Sequence, residues 1–377
     1  MPTKIMHIIP SLAKGGAERM VIDICIELQK KENIEILLVT FQDVDDYTYI
    51  TADIPKIVCE IKFELSIFKK PKIEINSLHD VIKSFNPDII HTHLYEADFI
   101  TKWITYPKIK YITHLHSNMP QLHKLNIIEL IKKETWTNFY EKYILIRNYL
   151  RCNNYFIAVS KNTEQYISQR IPLSLRKNIV LLPNAINQDR FKSKQRENKS
   201  SSNIRIINIG NLNENKDQAF LIDVVKYIKD KNIKIFLQII GEGILKGKLN
   251  EKISKENLDN EIKLIGKVDD VENYLMENDI YVHSSHSESF GLVFIEAMTY
   301  GLPVVSTDGK GNQDIIKNDY NGYIVSDRSV KEFAEKIIEL HSNVEIYKKM
   351  SENARELASK YDIKDYSDRL IHFYSTI

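Results

Sequence analysis

The sequence predicts an α/β protein of two domains, each built on a parallel sheet. Three observations lead there. Short β-branched runs alternate with longer amphipathic runs along most of the chain, the pattern of strands joined by crossover helices. The alternation comes in two series, separated by "NQDRFKSKQRENKSSSN" (187–203), a polar, serine-rich stretch without apolar period. The length of 377 residues, 43% of them hydrophobic, is long for one core and ample for two.

The first series opens with "IMHIIP" (5–10) as a strand and "AERMVIDICIELQKK" (17–31) as the helix after it. Further strands are expected at "IEILLVT" (34–40), "DIIHTHL" (88–94), "KYITHLH" (110–116) and "YFIAVS" (155–160). The second series begins with the strand "IRIINIG" (204–210) and the helix "FLIDVVKYIKD" (220–230). It continues with "IKIFLQIIG" (233–241), "IKLIG" (262–266), "DIYVHSS" (279–285), "PVVST" (303–307) and "GYIV" (322–325). The last segment, 361–377, reads as a helix with Tyr366, Leu370, Ile371, Phe373 and Tyr374 on its apolar side.

Composition narrows the function classes. Lysine plus arginine total 52 against 51 acidic residues, which argues against a dedicated nucleic-acid binder. Cys25, Cys59 and Cys152 have no paired spacing, so the reading is a cytosolic chain without a disulfide framework or zinc cluster. The apolar run at the N-terminus is too short for a signal peptide, and no run is long enough to span a bilayer. Contact with a membrane surface stays open. The segment 122–151 is helical, aromatic and basic. It is either a pair of surface helices or an interfacial element, with lysines toward anionic headgroups and Trp136, Phe139 and Tyr140 toward the boundary.

Several stretches can carry chemistry. Gly15 and Gly16 lie between the first strand and the first helix, where a backbone can approach an anion closely. The stretch is not G-x-G-x-x-G, so a dinucleotide site is poorly supported. In "INIGNLNENKDQ" (207–218) a strand ends at Gly210 and Lys216 precedes the next helix, at the sheet edge where ligands bind. Lys216 is either a phosphate contact or a solvated lysine. "IIGEGILKGKL" (239–249) extends the same rim.

The strongest feature is "SESFGLVFIEAMTYG" (287–301). Ser287 or Ser289 is expected to cap a helix running to Tyr300, with Gly301 as its stop. Glu288 would precede that helix and Glu296 would lie within it. Carboxylates at such places either serve the helix and its salt bridges or accept hydrogen bonds from sugar hydroxyls. His91, His93, His114 and His116 form two i, i+2 pairs, each on one face of a strand. A zinc site lacks the supporting H-E-x-x-H or cysteine pattern. Structural histidines, or one that polarises a substrate, are the remaining readings.

In this order and spacing these motifs resemble the GT-B retaining glycosyltransferases of family 4, over nearly the whole chain. "GGAER" (15–19) resembles the family's first glycine loop, "PDIIHTHL" (87–94) and "THLHSN" (113–118) its two histidine strands, and "IGNLNENKD" (209–217) its phosphate loop. "IAVSKNTEQYI" (157–167) and "LLPNAINQDRF" (181–191) resemble the stretch before the linker. "ESFGLVFIEAMTYGLPVVSTDGKGNQDII" (288–316) resembles the E-x7-E region, with "NGYIV" (321–325) after it.

The resemblance implies two Rossmann-like domains facing a cleft, with a final helix crossing back to the first. The expected boundaries are 1–190 plus 361–377 for the acceptor-side domain, 191–203 for the linker and 204–360 for the nucleotide-sugar domain. It implies His116 and Glu288 as catalytic residues, Glu288 contacting the donor sugar. Glu296 would hold the ribose hydroxyls, and the amides of Phe290, Gly291 and Leu292 would reach the sugar or phosphates. Gly210, Asn211 and Lys216 would form the phosphate loop, with Gly15 and Gly16 approaching from the first domain. No cofactor or metal is implied. The expected activity is transfer of a hexose or N-acetylhexosamine from a UDP- or GDP-sugar to a hydroxyl acceptor, with retention and no covalent side-chain nucleophile. The expected acceptor is a lipid-linked saccharide of surface-polysaccharide assembly, met at the cytoplasmic face. Alternatives are a UDP-GlcNAc epimerase of the same fold and a non-catalytic binding subunit. The last is suggested by Asn211, which stands where the family commonly has arginine.

Overall fold

A computed structural model describes residues 2–64, 72–123, 133–191 and 203–377. The chain divides into two units, Met1–Asn184 with Ile363–Ile377 and Ala185–Asp362. Most of the linker expected at 191–203 lies outside the described residues.

The first unit runs β1 (Thr3–Ile9), α1 (Gly16–Gln29), β2 (Ile34–Thr40), α2 (Thr48–Thr51), β3 (Lys56–Val58), β4 (Lys62–Glu64), β5 (Lys72–Glu74), α3 (Asn76–Phe85), β6 (Ile89–His93) and α4 (Tyr95–Thr101). It continues with β7 (Lys110–Leu115), α5 (Lys133–Arg151), β8 (Tyr155–Ala158), α6 (Lys161–Ser168), α7 (Leu173–Arg176) and β9 (Ile179–Leu181). Seven strands form a parallel sheet in the order β3-β2-β1-β6-β7-β8-β9. Ile5, Met6, Ile8 and Ile9 of β1 are all fully buried, as a strand covered by helices on both faces requires. The antiparallel pair β4 and β5 stands outside this sheet and was not anticipated, since runs of three residues carry no readable period.

The second unit runs β10 (Ile204–Ile209), α8 (Gln218–Asp230), β11 (Ile235–Ile240), α9 (Lys246–Lys255), β12 (Ile262–Gly266), α10 (Glu272–Glu277), β13 (Ile280–His283), α11 (Leu292–Thr299), β14 (Val304–Thr307), β15 (Gly322–Val325), α12 (Val330–Ser342) and α13 (Val344–Ala358). Its sheet is parallel, in the order β12-β11-β10-β13-β14-β15. That is the doubly wound arrangement, in which strand order reverses beside the first strand. Its core joins Ile204, Ile206 and Leu237 from the strands to Leu221, Val225, Phe333 and Ile337 from α8 and α12.

The final helix, α14 (Ile363–Thr376), belongs to the first unit. Tyr366, Leu370 and Tyr374 are buried, Ile371 and Phe373 half-buried, and Lys31 pairs with Asp368 at 2.6 Å. The face expected from the sequence is therefore the one that packs, with Ile363 and Ser367 added to it. Part of the basic segment 122–151 (124–132) lies outside the described residues, and the rest includes α5. Tyr140 is half-buried against the core, while Trp136, Phe139, Tyr143 and Leu150 are exposed.

The helix within "SESFGLVFIEAMTYG" (287–301) differs from expectation. It begins at Leu292, and neither Ser287 nor Ser289 caps it. Its N-cap is Gly291 at φ +89°, where an added Cβ would meet the Phe294 ring at 2.2 Å. The chain thus turns sharply through a position suited to glycine, and no side chain caps the helix start.

Sheet strands β6 and β7 have two distinct polar faces. On one, Asp98 accepts hydrogen bonds from Thr92 (2.6 Å), Thr113 (2.6 Å) and Tyr149 (2.6 Å) and pairs with Lys102, all of them buried. The histidines occupy the other face.

Candidate functional site

In an open α/β sheet, the crevice for ligands lies beyond the C-terminal strand ends where strand order reverses. In the second unit that point lies between β10 and β13. The loops leaving these strands carry Gly210–Asp217 and Ser284–Ser289 respectively.

These loops are fastened together. Asn215 accepts from the Ser287 amide (3.1 Å) and donates to the Ser287 carbonyl (3.0 Å), while its own carbonyl accepts from the His286 amide (2.8 Å). Ser284 Oγ donates to the Lys216 carbonyl at 2.7 Å. Across the junction, Lys216 Nζ lies 2.6 Å from Glu288 Oε2. His283 Nε2 approaches the same oxygen at 3.2 Å and Ser285 Oγ at 2.7 Å.

The electrostatics follow. Burial alone would raise the Glu288 pKa, but the His283 hydrogen bond and the Lys216 charge hold the carboxyl well below the usual carboxylate range. Burial lowers the His283 pKa, so its imidazole is neutral near pH 7 despite the carboxylate beside it. The arrangement presents an ionised carboxylate and an ammonium from two rigid strand ends.

Glu296 lies half-buried on α11, eight positions after Glu288. Phe290 and Gly291 are buried and Leu292 is half-buried at the uncapped helix start. Asn211 is exposed, and its carbonyl accepts from Gln218 at 3.1 Å. The stem of Lys216 lies over Gly210, 3.6 Å from where a Cβ would be. The second unit therefore brings Gly210, Asn211, Lys216 and Glu288 to one edge. Sequence reasoning missed His283, Ser285 and Asn215. The one available signal was the histidine in "DIYVHSS", placed at a strand end just ahead of Glu288.

In the first unit, the reversal falls between β1 and β6. Five histidines gather on one sheet face: register places His7 beside His91 and His93 beside His114, and His116 follows the end of β7. His7 Nδ1 and His93 Nε2 are 3.0 Å apart, as are His93 Nδ1 and His116 Nε2. His91 Nδ1 is 2.6 Å from the Tyr374 hydroxyl on α14. Burial lowers the pKa of every ring, to about 3 for His7 and His116. A neutral imidazole has one N–H, so the chain His116–His93–His7 is directional: the tautomer of one ring sets the next. His7 was absent from the sequence reading because a single histidine in an apolar strand has no pattern around it.

Two sets of three ring nitrogens, from His7, His91 and His93 and from His93, His114 and His116, each lie within 4.8 Å of one another. They have the donor chemistry for a borderline metal, although the hydrogen bonds already made use some of the same nitrogens. The glycine loop is less open to an anion than expected. The Gly15 amide is 3.0 Å from the Tyr47 hydroxyl, and the Glu18 carboxylate lies where a Cβ on Gly15 would sit. A depression of about 580 Å³ lined by Arg205, Lys229 and Lys234 lies at the N-terminal ends of β10 and β11, the sheet edge opposite Glu288.

Comparison with known proteins agrees with this layout. Residues 14–190 match the family model Glycosyltransferase Family 4, and residues 189–357 match Glycosyl transferases group 1. An uncharacterized glycosyltransferase of Methanocaldococcus jannaschii is 27% identical over 226 residues, 58% of this chain and 61% of the relative. The match thus spans about three-fifths of that relative's length. The UDP-Gal:alpha-D-GlcNAc-diphosphoundecaprenol alpha-1,3-galactosyltransferase of Escherichia coli is 22% identical over 82% of this chain and 80% of that one. Anabaena HepE, solved in complex with UDP, superposes over 100% of both chains with a TM-score of 0.80 at 18% identity, a likeness of fold. The two family models in tandem, on two doubly wound sheets, mean that this chain belongs to the group 1 glycosyltransferases, transferases of the GT-B fold.

Proposed function

We propose that the chain transfers a hexose or N-acetylhexosamine from a UDP- or GDP-sugar to a hydroxyl acceptor, with retention of configuration. The observation that carries this reading is the Lys216–Glu288–His283 cluster at the switch point of the second sheet. An ionised carboxylate accepts two hydroxyl groups of a sugar, and an adjacent ammonium suits a phosphate. Glu288, kept ionised by its neighbours, would grip the donor sugar. Lys216 would neutralise the leaving diphosphate as negative charge develops on it. Glu296 would bind the ribose, and the amides of Phe290, Gly291 and Leu292 would meet the sugar or phosphate at the uncapped helix start. His116, its tautomer set through His93, is the catalytic candidate of the first unit. On this reading, Lys216 would serve at the diphosphate in the place of a resident metal.

The acceptor is proposed to be a lipid-linked saccharide at the cytoplasmic face, in surface-polysaccharide assembly. The E. coli relative's name gives alpha-D-GlcNAc-diphosphoundecaprenol, a lipid-linked saccharide, as its acceptor. On α5, Trp136, Phe139, Tyr143 and Leu150 are exposed at i, i+3, i+7 and i+14, one helix face, with exposed Arg147 at i+11. Such a face suits peripheral contact with an anionic membrane. Among the described residues no helix is long and apolar enough to cross one.

The decisive experiment incubates purified protein with a panel of UDP- and GDP-sugars and a lipid-linked saccharide extract. Transfer, with the donor's anomeric configuration kept in the product by NMR, is expected. No transfer and no nucleotide release from any donor would sink the reading. Nucleotide release with a free epimerised sugar and no acceptor product would favour the epimerase. Asn211 favours the binding-subunit reading, which any turnover by the native chain eliminates.

A further inference from the structure

Among the described residues, three that are neither glycine, asparagine nor aspartate have positive φ: Leu94, Lys310 and Arg328. All three follow strands at the C-terminal edges of the two sheets. Arg328 is fully engaged, with Asp217 at 2.5 Å, the Ser284 carbonyl at 3.0 Å and Thr307 Oγ1 at 3.3 Å. Lys310 is not. Its side chain is 65% exposed, and its ammonium pairs with Asp308 at 3.0 Å.

The backbone at Lys310 has φ 73° and ψ −62°, a γ-turn closed by the Gly311 amide on the Gly309 carbonyl at 3.0 Å. This turn is rare and strained for any side-chain-bearing residue. The surroundings enforce it. The Glu288 amide donates to the Gly309 carbonyl (2.8 Å) and the Gly311 amide to the Glu288 carbonyl (2.9 Å). A Cβ on Gly311 would lie 2.2 Å from the Ser289 carbonyl oxygen. Glycines flank Lys310 where backbones touch, yet the most strained position of the three carries a lysine. Strain held in place by its surroundings, beside a candidate ligand group, points to a use for the side chain.

We propose that Lys310 is a second cationic contact for the diphosphate of the donor, in addition to Lys216. This rests on the donor-site reading given above. The backbone bridge between Lys310 and Glu288 holds the two residues side by side, and Lys216 touches the Glu288 carboxylate. The Lys310–Asp308 pair is exposed on its cationic side and is held weakly. On release, Asp308 keeps hydrogen bonds from the Lys310 amide (2.9 Å) and Gln313 (3.0 Å). The ammonium can therefore move to a phosphate without stranding its partner. Lys216 and Lys310 would then bracket the phosphates from the two strand ends.

The test is calorimetric titration of the full chain with UDP, GDP, UMP and GMP, repeated for Lys310→Gln and Lys310→Gly. The tighter-binding diphosphate is expected to weaken about tenfold in both variants, with under about twofold change for its monophosphate. Lys310→Gly should also unfold at the same or a higher temperature, because glycine adopts this turn freely. Unchanged diphosphate affinity in the variants, or equal loss for mono- and diphosphate, overturns the inference while leaving the donor-site reading intact. A native chain that binds neither diphosphate overturns both.

Discussion

The Lys216 ammonium and the Glu288 carboxylate meet at 2.6 Å across the point where the strand order of the second sheet reverses. Each comes from a different strand end, and Asn215 ties the two loops together. The pair is therefore held by contacts within the second unit itself. It is also partly buried, with side chains 22% and 14% exposed, so losing one partner leaves the other in a poor environment.

Lys216→Met and Glu288→Gln should accordingly differ from their double variant. Each single change is expected to cost about 1–3 kcal/mol, between the values for exposed and buried pairs. The double variant should lose less than the sum, and urea unfolding measures all three. If Glu288 grips the donor sugar as proposed, Glu288→Gln should also lower kcat about a hundredfold or more. Strict additivity in stability would mean that the two groups do not interact in solution.

Acid should destabilise the first unit early. A histidine whose folded pKa is depressed stays neutral in the fold while the unfolded chain takes up its proton. Stability is then full above the unfolded value of about 6.5 and falls as pH drops toward the folded value. For His7 and His116 the folded value is about 3, and His91, His93 and His114 are shifted in the same direction by burial. Each buried ring adds to the loss of stability in that window in the same direction. In the second unit, Glu288 contributes a separate loss below its unfolded value near 4.5, where its stabilising ionisation is lost. Urea midpoints should fall steeply from pH 6.5 to 5, and His93→Gln should flatten the slope. A flat profile over that range would contradict the burial of the cluster.

How much of this was legible beforehand varies with physical cause. The strand runs carry a period that burial on both faces imposes, so their alternation with helices was readable. Glu288 and Lys216 stood out because each interrupts a strand-to-helix junction. Their ion pair was not readable, since 72 positions separate them and only the sheet order brings them together. The start of α11 was misread because serine is a good cap in general, whereas here Gly291 at positive φ sets the turn. The Tyr47 hydroxyl and Glu18 carboxylate that crowd Gly15 likewise depend on tertiary packing.

The Asp98–Lys102 pair on the opposite face of β6 and β7 makes a separate prediction. Both side chains are 0% exposed, and three hydroxyls donate to the carboxylate. Asp98→Ala should cost about 3–5 kcal/mol, because Lys102 would be left buried and unpaired. Replacing both residues with apolar ones, as in Asp98→Leu with Lys102→Met, should recover part of that loss. Unfolding midpoints of the single and double variants decide it, and a single variant as stable as the native chain would refute the pairing.

Membrane contact through α5 is testable by flotation with phosphatidylglycerol-containing vesicles at low and high salt. Binding is expected at low salt and should be lost when Trp136 and Phe139 are both replaced by serine. Retained flotation in that variant would assign the contact elsewhere, and none in the native chain would favour a soluble acceptor.

Asn211 offers the most direct gain of function. It is exposed, and its backbone carbonyl, rather than its side chain, accepts the Gln218 bond. An arginine there can extend over the same strand end as Lys216 without displacing a buried group. If the diphosphate binds at this edge, Asn211→Arg should add a charge-assisted contact, tightening UDP or GDP about tenfold. The gain should shrink as salt rises, since it is electrostatic and exposed. UMP and GMP should gain less if the added charge meets the β-phosphate, which they lack. An arginine variant that binds the nucleoside diphosphates no better than the native chain at low salt would place the phosphates away from this loop.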